Sequence, residues 1–281
     1  MYSKTAPVSF TQTIDFWNWK LVSAVLIVTI LVSSLAIDRA GYVYSQTDTF
    51  LYLNEHLQVV PHWLWANITH LGDALVLVPL LSFLWLVAPR CWASMFGAIP
   101  LALFLSHLGK NFFAIPRPAA ILDNDTFTII GETLTAHTSF PSGHTTTVFT
   151  ALAAIMFVVL KSKTISKRKQ KFIAVALMAC ASLVAISRVA VGAHWPADLI
   201  LGGVIGIVSG LSGEYLSSKY QRWWNWGRKH VLAKCSFILF FSVLLAYCVA
   251  VDKTALLPIV AFSISVSLFV VMRLSLRGLS R

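Results

Sequence analysis

The sequence predicts an all-α, polytopic transmembrane helical bundle, and three observations favour this fold class. Of the 281 residues, 57% are hydrophobic and only 12% are charged. Apolar runs long enough to cross a bilayer recur along the whole chain, and the charged residues gather between them. The net charge of +11 would indicate a nucleic-acid partner in a soluble domain. In a membrane protein the positive-inside tendency accounts for it, so no nucleic-acid partner is predicted.

Eight hydrophobic segments are predicted to span the membrane. They cover about residues 21–37, 71–88, 92–108, 145–160, 172–187, 198–213, 235–251 and 255–272. An even number of spans places both termini on one side. With the N-terminus inside, the inner segments hold 17 of the 22 basic residues and the outer segments hold nine of the 11 acidic residues. This asymmetry predicts cytoplasmic termini. The first span is interpreted as an uncleaved helix, because its polar leader of 20 residues is long for a signal peptide.

A basic, tryptophan-rich connection follows the sixth span on the predicted inner side, at residues 214–234. Tryptophan prefers the headgroup level and basic side chains are attracted to anionic lipids, so this stretch is predicted to lie along the inner leaflet. An ordinary interfacial anchor explains it without a specific lipid. The residues that carry this interpretation are Arg222, Trp223, Trp224, Trp226, Arg228 and Lys229.

Three polar motifs lie on the predicted outer side, where the basic residues Lys110, Arg117 and Arg188 break the charge asymmetry and therefore need a reason. The first is KNFFAIPRP, which places Lys110 and Arg117 at the outer end of the third span, where prolines stop the helix. The second is FPSGH, immediately before the fourth span. Ser142 can cap that helix and Gly143 allows a ligand close to the backbone, so the free amides form an anion site. His144 then lies in the first turn.

A third motif, SRVAVGAHWPADL, joins the fifth and sixth spans. Arg188 closes the fifth span, and His194 and Asp198 are four residues apart near the start of the sixth. That spacing puts both side chains on one helix face, so the carboxylate can accept an imidazole N–H and leave the other ring nitrogen free. A nucleophilic histidine requires this arrangement.

Together the three motifs offer two histidines, an aspartate, three cations, a serine and free amides on one side of the membrane. This set matches phosphoryl transfer, in which cations and amides hold the non-bridging oxygens while histidines handle nucleophile and leaving group. It is much less like a metal site, because no separate set of three ligand residues has metal-binding spacing. The sequence therefore predicts no metal and no cofactor.

In this order, Lys-x6-Arg-Pro, Pro-Ser-Gly-His and Ser-Arg-x5-His-x3-Asp resemble the signature of the type 2 phosphatidic acid phosphatase superfamily. The match covers residues 110–198 directly. It implies a six-helix catalytic core within residues 1–213, followed at 214–281 by the inner linker and a two-helix C-terminal extension.

The resemblance also implies roles for the matching residues. His194 would attack phosphorus to form a phosphohistidine, Asp198 would orient it, and His144 would protonate the leaving oxygen. The groups expected to bind the phosphoryl oxygens are Lys110, Arg117, Ser142, Gly143 and Arg188. His137 is a secondary candidate for substrate contact. No role is predicted for His56, His62, His70, His107 and His230.

The membrane setting and the resemblance together imply a lipid phosphatase of a bacterial inner membrane, acting on a phosphomonoester or pyrophosphate at the extracytoplasmic leaflet. Phosphatidic acid, phosphatidylglycerol phosphate, undecaprenyl pyrophosphate and lipid A phosphates all remain open as substrates. A lipid phosphotransferase using the same phosphohistidine is an alternative. A transporter is a distant one, because its charges would lie near the bilayer midplane instead of at helix ends. The oligomeric state is open.

Overall fold

The protein is described here as a computed structural model that covers residues 19–221, 231–251 and 257–279, with side chains for 27–221, 231–251 and 257–276. The tryptophan-rich centre of the predicted inner connection, residues 222–230, lies outside the described residues. Helices are the only regular secondary structure in the described ranges, which confirms the all-α prediction. The helices are α1 Trp19–Leu35, α2 Arg39–Leu57, α3 His62–His70, α4 Ala74–Leu81, α5 Leu84–Val87, α6 Pro89–Phe113, α7 Gly143–Leu160, α8 Lys167–Ala190, α9 Pro196–Lys219, α10 Val231–Ala250 and α11 Pro258–Leu279, with a 3-10 turn at Pro118–Ala120.

Six of these helices, α6 to α11, are long and apolar enough to cross a membrane. Two bent pairs supply two further candidate spans. In the first, α1 and α2 meet at 104°, and in the second, α3 meets the α4–α5 segment at 72°. Counting each pair as one span gives up to eight, the number that the hydrophobic segments predict.

The bent pairs differ from the prediction in two respects. The stretch between residues 38 and 70, expected as an outer loop, is largely helical. The span expected at 71–88 is the second part of a broken span that begins at His62. Hydropathy misses α2 because polar residues are interspersed among its apolar ones, although Tyr42, Phe50 and Asn54 on it are buried. It misses the break at Gly72 because Asp73 starts a new helix there, its Oδ1 accepting the Leu75 amide at 2.9 Å.

The centre of the bundle is formed by α9, which packs along α7 and α6, while α8 packs along α7. Small residues on α9 permit the close approach. A Cβ added to Gly210 would lie 2.7 Å from the Ala153 Cβ on α7, so only glycine fits at this separation. This packing fixes the start of α7 relative to the start of α9.

The two C-terminal helices pack on each other and on the broken span. The Ile259 amide donates to Asn67 Oδ1 on α3 at 3.0 Å, and Ser263 Oγ donates to the Val76 carbonyl on α4 at 2.7 Å. The extension therefore braces α3 and α4.

At the end of the bundle opposite the motifs, the buried Glu214 joins three helices. It accepts hydrogen bonds from Lys161 on α7 and from Ser218 Oγ at 2.8 Å, and Arg90 on α6 lies 3.7 Å away. This cluster holds the ends of α6, α7 and α9 together.

Candidate active site

The three motifs meet at one end of the bundle, here called the site end. The last turns of α6 and α8 and the first turns of α7 and α9 lie there. The irregular segment 114–142 between α6 and α7 covers it and is tied down at several points. Asn54 on α2 exchanges hydrogen bonds with the backbone of Thr128 at 2.8 and 3.1 Å and donates to the Val189 carbonyl at 2.9 Å. The Ser139 amide donates to the Ile115 carbonyl at 2.9 Å.

His194 and Asp198 form the predicted pair, with 2.9 Å between Nδ1 and Oδ2. The pair does not lie on a regular helix face, because His194 precedes the N-cap residue Trp195 and Asp198 is the third residue of α9. The Trp195 amide donates to the same Oδ2 at 2.9 Å, so the turn entering α9 brings imidazole and carboxylate together. Both side chains are buried.

Two further side chains bind Asp198, and neither was identified from the sequence. Tyr42 on α2 donates its hydroxyl to Oδ1 at 2.6 Å, and Ser139 donates to Oδ2 at 2.5 Å. Ser139 Oγ also lies 3.3 Å from His194 Nδ1. Tyr42 is 156 residues from Asp198 along the chain, so no local spacing could reveal the contact. For Ser139, the only sequence signal is its position three residues before Ser142.

The second ring nitrogen of His194 faces Arg117. The guanidinium Nη1 lies 3.2 Å from Nε2 and donates to the Ala193 carbonyl at 3.1 Å. Burial, and then the positive charges of Arg117 and Arg188, hold the pKa of His194 well below its usual range. Because Nδ1 donates to Asp198, the neutral ring carries its lone pair on Nε2. The geometry thus prepares Nε2 to act as a nucleophile.

The predicted cations surround this nitrogen from three elements. Arg188 at the end of α8 is buried and donates to Thr69 Oγ1 on α3. Lys110 near the end of α6 approaches the start of α7, since a Cβ added to Gly143 would lie 3.3 Å from Nζ. Within the described chain, Nε of Arg117 and Nε of Arg188 are buried without a hydrogen-bond partner. These two N–H groups are therefore available to donate hydrogen bonds to a bound anion.

The start of α7 forms the predicted N-cap, in which the Ser142 hydroxyl oxygen is the acceptor. It is buried and accepts from the Thr145 amide at 3.5 Å and from the Thr145 hydroxyl at 3.1 Å. The Ser142 amide donates to the Asp198 carbonyl at 3.1 Å, which joins the starts of α7 and α9. The amides of Gly143 and His144 in the first turn have no partner within the helix and are free for an anion.

Ser187 and two histidines outside the motifs, His137 and His70, differ in how near they lie to the site. Ser187 is buried and donates to the Val184 carbonyl at 2.6 Å, which is a helix contact. His137 is exposed on the covering segment. His70, for which the sequence predicts no role, lies beside the site and interacts electrostatically with His144 and Arg188. Among the described residues, no three His, Cys, Asp or Glu side chains come together as a metal site.

A buried neutral imidazole held by a carboxylate, with cations and a helix N-terminus facing its free nitrogen, is suited to attack on phosphorus. The fold and this site define an integral, multi-pass membrane enzyme of the phosphatase class. The PAP2 superfamily model matches residues 91–226. The chain is also 32% identical over 167 residues to the Escherichia coli protein named "Putative undecaprenyl-diphosphatase YbjG", which covers 56% of this chain and 77% of that protein. The chain therefore belongs to the PAP2 superfamily.

The chain is also similar to another phosphatase and to two solved structures. The lipid A 1-phosphatase of Rhizobium etli is 32% identical over 115 residues, or 41% of this chain and 45% of that protein. The crystal structure of LpxE from Aquifex aeolicus superposes with a TM-score of 0.50 at 29% identity, covering 60% of this chain and 93% of that chain. The transmembrane PAP2-type phosphatidylglycerolphosphate phosphatase of Bacillus subtilis gives 0.52 at 19% identity, covering 73% and 99%. The second structure supports the fold alone.

Proposed function

We propose that this protein removes a phosphate from a lipid headgroup at the extracytoplasmic leaflet, by way of a phosphohistidine on His194 and without a metal. The observation that supports the proposal most strongly is the position of the His194 ring between Asp198 and Arg117. Nδ1 is held at 2.9 Å by Asp198, while Nε2 faces Arg117 at 3.2 Å among further cations.

In the first half of the reaction, His194 Nε2 attacks phosphorus and the bond to the leaving oxygen breaks. Asp198 stabilises the positive charge that develops on the imidazole. His144 gives a proton to the leaving oxygen, so a phosphomonoester substrate departs as a neutral alcohol and a pyrophosphate substrate departs as the lipid monophosphate. Lys110, Arg117, Arg188 and the free amide of Gly143 bind the non-bridging oxygens.

In the second half, water attacks the phosphohistidine and gives a proton to His144. The N–P bond breaks, inorganic phosphate leaves, and His194 and His144 return to their starting protonation states. Three cationic side chains supply the charge that a metal supplies in other phosphatases. This supports a reaction that proceeds in the presence of a chelator.

The setting of the site supports a lipid substrate. A groove of about 410 Å³ opens beside the site end, between the α1–α2 bend and the end of α6. Ile37 and Phe112 in its wall are exposed, and Phe113 packs edge-on against Phe140, two residues before Ser142. Asp38 and Arg39 also line the groove, so a lipid can rest its chains on the apolar side chains of the wall while its phosphate reaches the cations.

The orientation of the site is supported by the asymmetry of charge. The basic segment 161–171 lies at the end opposite the site, where positive residues mark the cytoplasmic side. Both termini are then cytoplasmic and the site faces outward in a bacterial inner membrane.

Undecaprenyl pyrophosphate is the first substrate to test, because the relative named for it is matched over 77% of its length against 45% for the lipid A 1-phosphatase. Purified protein in detergent with a chelator is offered this lipid, phosphatidic acid, phosphatidylglycerol phosphate and lipid A, and inorganic phosphate is measured. We expect release from at least one lipid and none from His194→Ala. His107→Ala is the matched control, because this exposed histidine bonds only to its own helix at Leu103.

Trapping the phosphorylated protein separates the chemical alternatives. Acid-labile phosphate on the wild-type protein, absent from His194→Ala, is expected. Phosphate transfer to an added lipid without release of inorganic phosphate would refute hydrolysis and establish a phosphotransferase. Activity that disappears with the chelator and returns with magnesium would refute the metal-independent reaction.

A further inference from the structure

The two histidines of the site have different surroundings. His194 has its second nitrogen held by Asp198 at 2.9 Å, whereas within the described chain the His144 ring makes no hydrogen bond. A general acid needs its second ring nitrogen held, because that contact fixes both the orientation and the tautomer. The reaction proposed for His144 therefore requires a partner that the three motifs do not contain.

The last two residues of α3 and the break that follows them, together residues 69–73 and here called the α3–α4 break, lie directly against His144. A Cβ added to Gly72 would come within 2.7 Å of the His144 Cβ. Thr69, at the start of this break, accepts a hydrogen bond from Arg188. The break thus touches the leaving-group histidine and one phosphate-binding cation, although it belongs to none of the motifs.

His70 lies between Thr69 and Gly72 in the sequence, and one of its ring nitrogens has no assigned role. Its Nδ1 is buried and has no hydrogen-bond partner among the described residues. Its ring interacts electrostatically with His144, and Asp73 interacts with both His70 and Arg188. A buried ring nitrogen without a partner is unfavourable. Here it lies beside a second imidazole that also has none.

We propose that His70 is a positioning residue for His144: its buried Nδ1 pairs with the second nitrogen of the His144 ring, directly or through one water. Asp73 adds negative charge beside His70 and Arg188. The proton transferred to the leaving oxygen comes from His144, which regains one from the attacking water. His70 neither gains nor loses a proton over the reaction. The inference rests on the proposed function, because it assigns His144 the role of general acid.

A comparison of leaving groups tests this role. An alkyl phosphomonoester such as dioctanoyl phosphatidic acid needs protonation of its leaving oxygen, whereas p-nitrophenyl phosphate leaves without it. We expect His70→Leu to lower kcat on the alkyl ester roughly 10- to 100-fold, the range for one hydrogen bond to a charged group. It should leave kcat on the aryl phosphate nearly unchanged. His70→Asn keeps a polar atom near the Nδ1 position and should recover most of the alkyl activity.

His62→Leu on the same helix is the matched control, because His62 is exposed. The ratio of the two rates within one preparation does not depend on how much of the variant is folded. Equal losses on both substrates, or no recovery in His70→Asn, would refute the positioning role. Wild-type protein that cleaves only pyrophosphates would refute it too, because their leaving group needs little protonation. Wild-type protein that releases phosphate from none of these substrates or the lipid panel refutes the proposed function itself.

Discussion

Tyr42→Phe removes a single hydroxyl from the site and leaves the rest of the side chain in place. That hydroxyl is 2.6 Å from Asp198 Oδ1, whereas the hydrogen bonds from Ser139, His194 and Trp195 all go to Oδ2. Oδ1 therefore loses the one donor that it has among the described residues. The ring keeps its edge contact with Phe140, at 5.5 Å between centroids, so packing is conserved.

The expected size of the effect follows from the charge and burial of the acceptor. Tyr42 and Asp198 are 1% and 0% exposed, so no solvent replaces the lost bond. A hydrogen bond to a charged group contributes about 1.5–3 kcal/mol. If losing this bond weakens the stabilisation of His194 by the carboxylate in the transition state by the same free energy, kcat/KM falls roughly 10- to 150-fold. The free energy of unfolding falls by at most a similar amount.

Phosphate release and thermal unfolding in detergent measure both effects. Tyr44→Phe is the matched control, because Tyr44 is on the same helix and is 86% exposed. If Tyr42→Phe keeps the turnover and melting temperature of Tyr44→Phe, the Tyr42 hydroxyl does not hold the Asp198 carboxylate, and the reasoning is wrong.

Two further predictions concern the titration of the site and the opposite end of the bundle. Because the pKa of His194 is held below the ordinary histidine value of about 6.5, the nucleophile stays neutral to lower pH. The acid limb of kcat/KM, corrected for ionisation of the substrate, should then lie below 6.5, and a limb at or above that value would contradict the assignment. For the same reason His194 contributes to a loss of stability as pH falls below 6.5, where the unfolded chain binds the additional proton. Glu214→Gln should lower stability by roughly 1–3 kcal/mol, less than for a fully buried pair because Lys161 and Arg90 reach solvent. The folded fraction should keep its kcat, and a selective loss of kcat would show that the Glu214 cluster acts on the site.

The sequence predicts the parts of this site that depend on local rules. Ser142 is an N-cap because a short polar side chain before an apolar helix satisfies first-turn amides, and the structure has that cap. The contact between His194 and Asp198 follows from spacing, although the turn before α9 makes it in place of a helix face. The roles given to these residues stay predictions until activity is measured.

Contacts made between distant segments could not be predicted in this way. Tyr42 and His70 reach the site from α2 and α3, which a hydropathy profile places in a loop. In α2, polar and apolar residues are interspersed around the helix, and α3 is only nine residues long and includes polar side chains. Their importance arises from how the bent pairs pack against α8 and α7, and that packing has no signature in a single sequence.

The many ties on the covering segment 114–142 have a consequence for how substrate is exchanged. Asn54 alone joins Thr128 of this segment to α2 and also donates to Val189 at the end of α8, so opening the segment from the aqueous side would break several hydrogen bonds at once. For the proposed lipid substrate we therefore expect entry and exit sideways, within its own leaflet, through the groove at the α1–α2 bend. Collisions in two dimensions would govern the turnover. In mixed micelles the rate should follow the mole fraction of lipid at the surface and fall as detergent dilutes it, even when the bulk lipid concentration is unchanged.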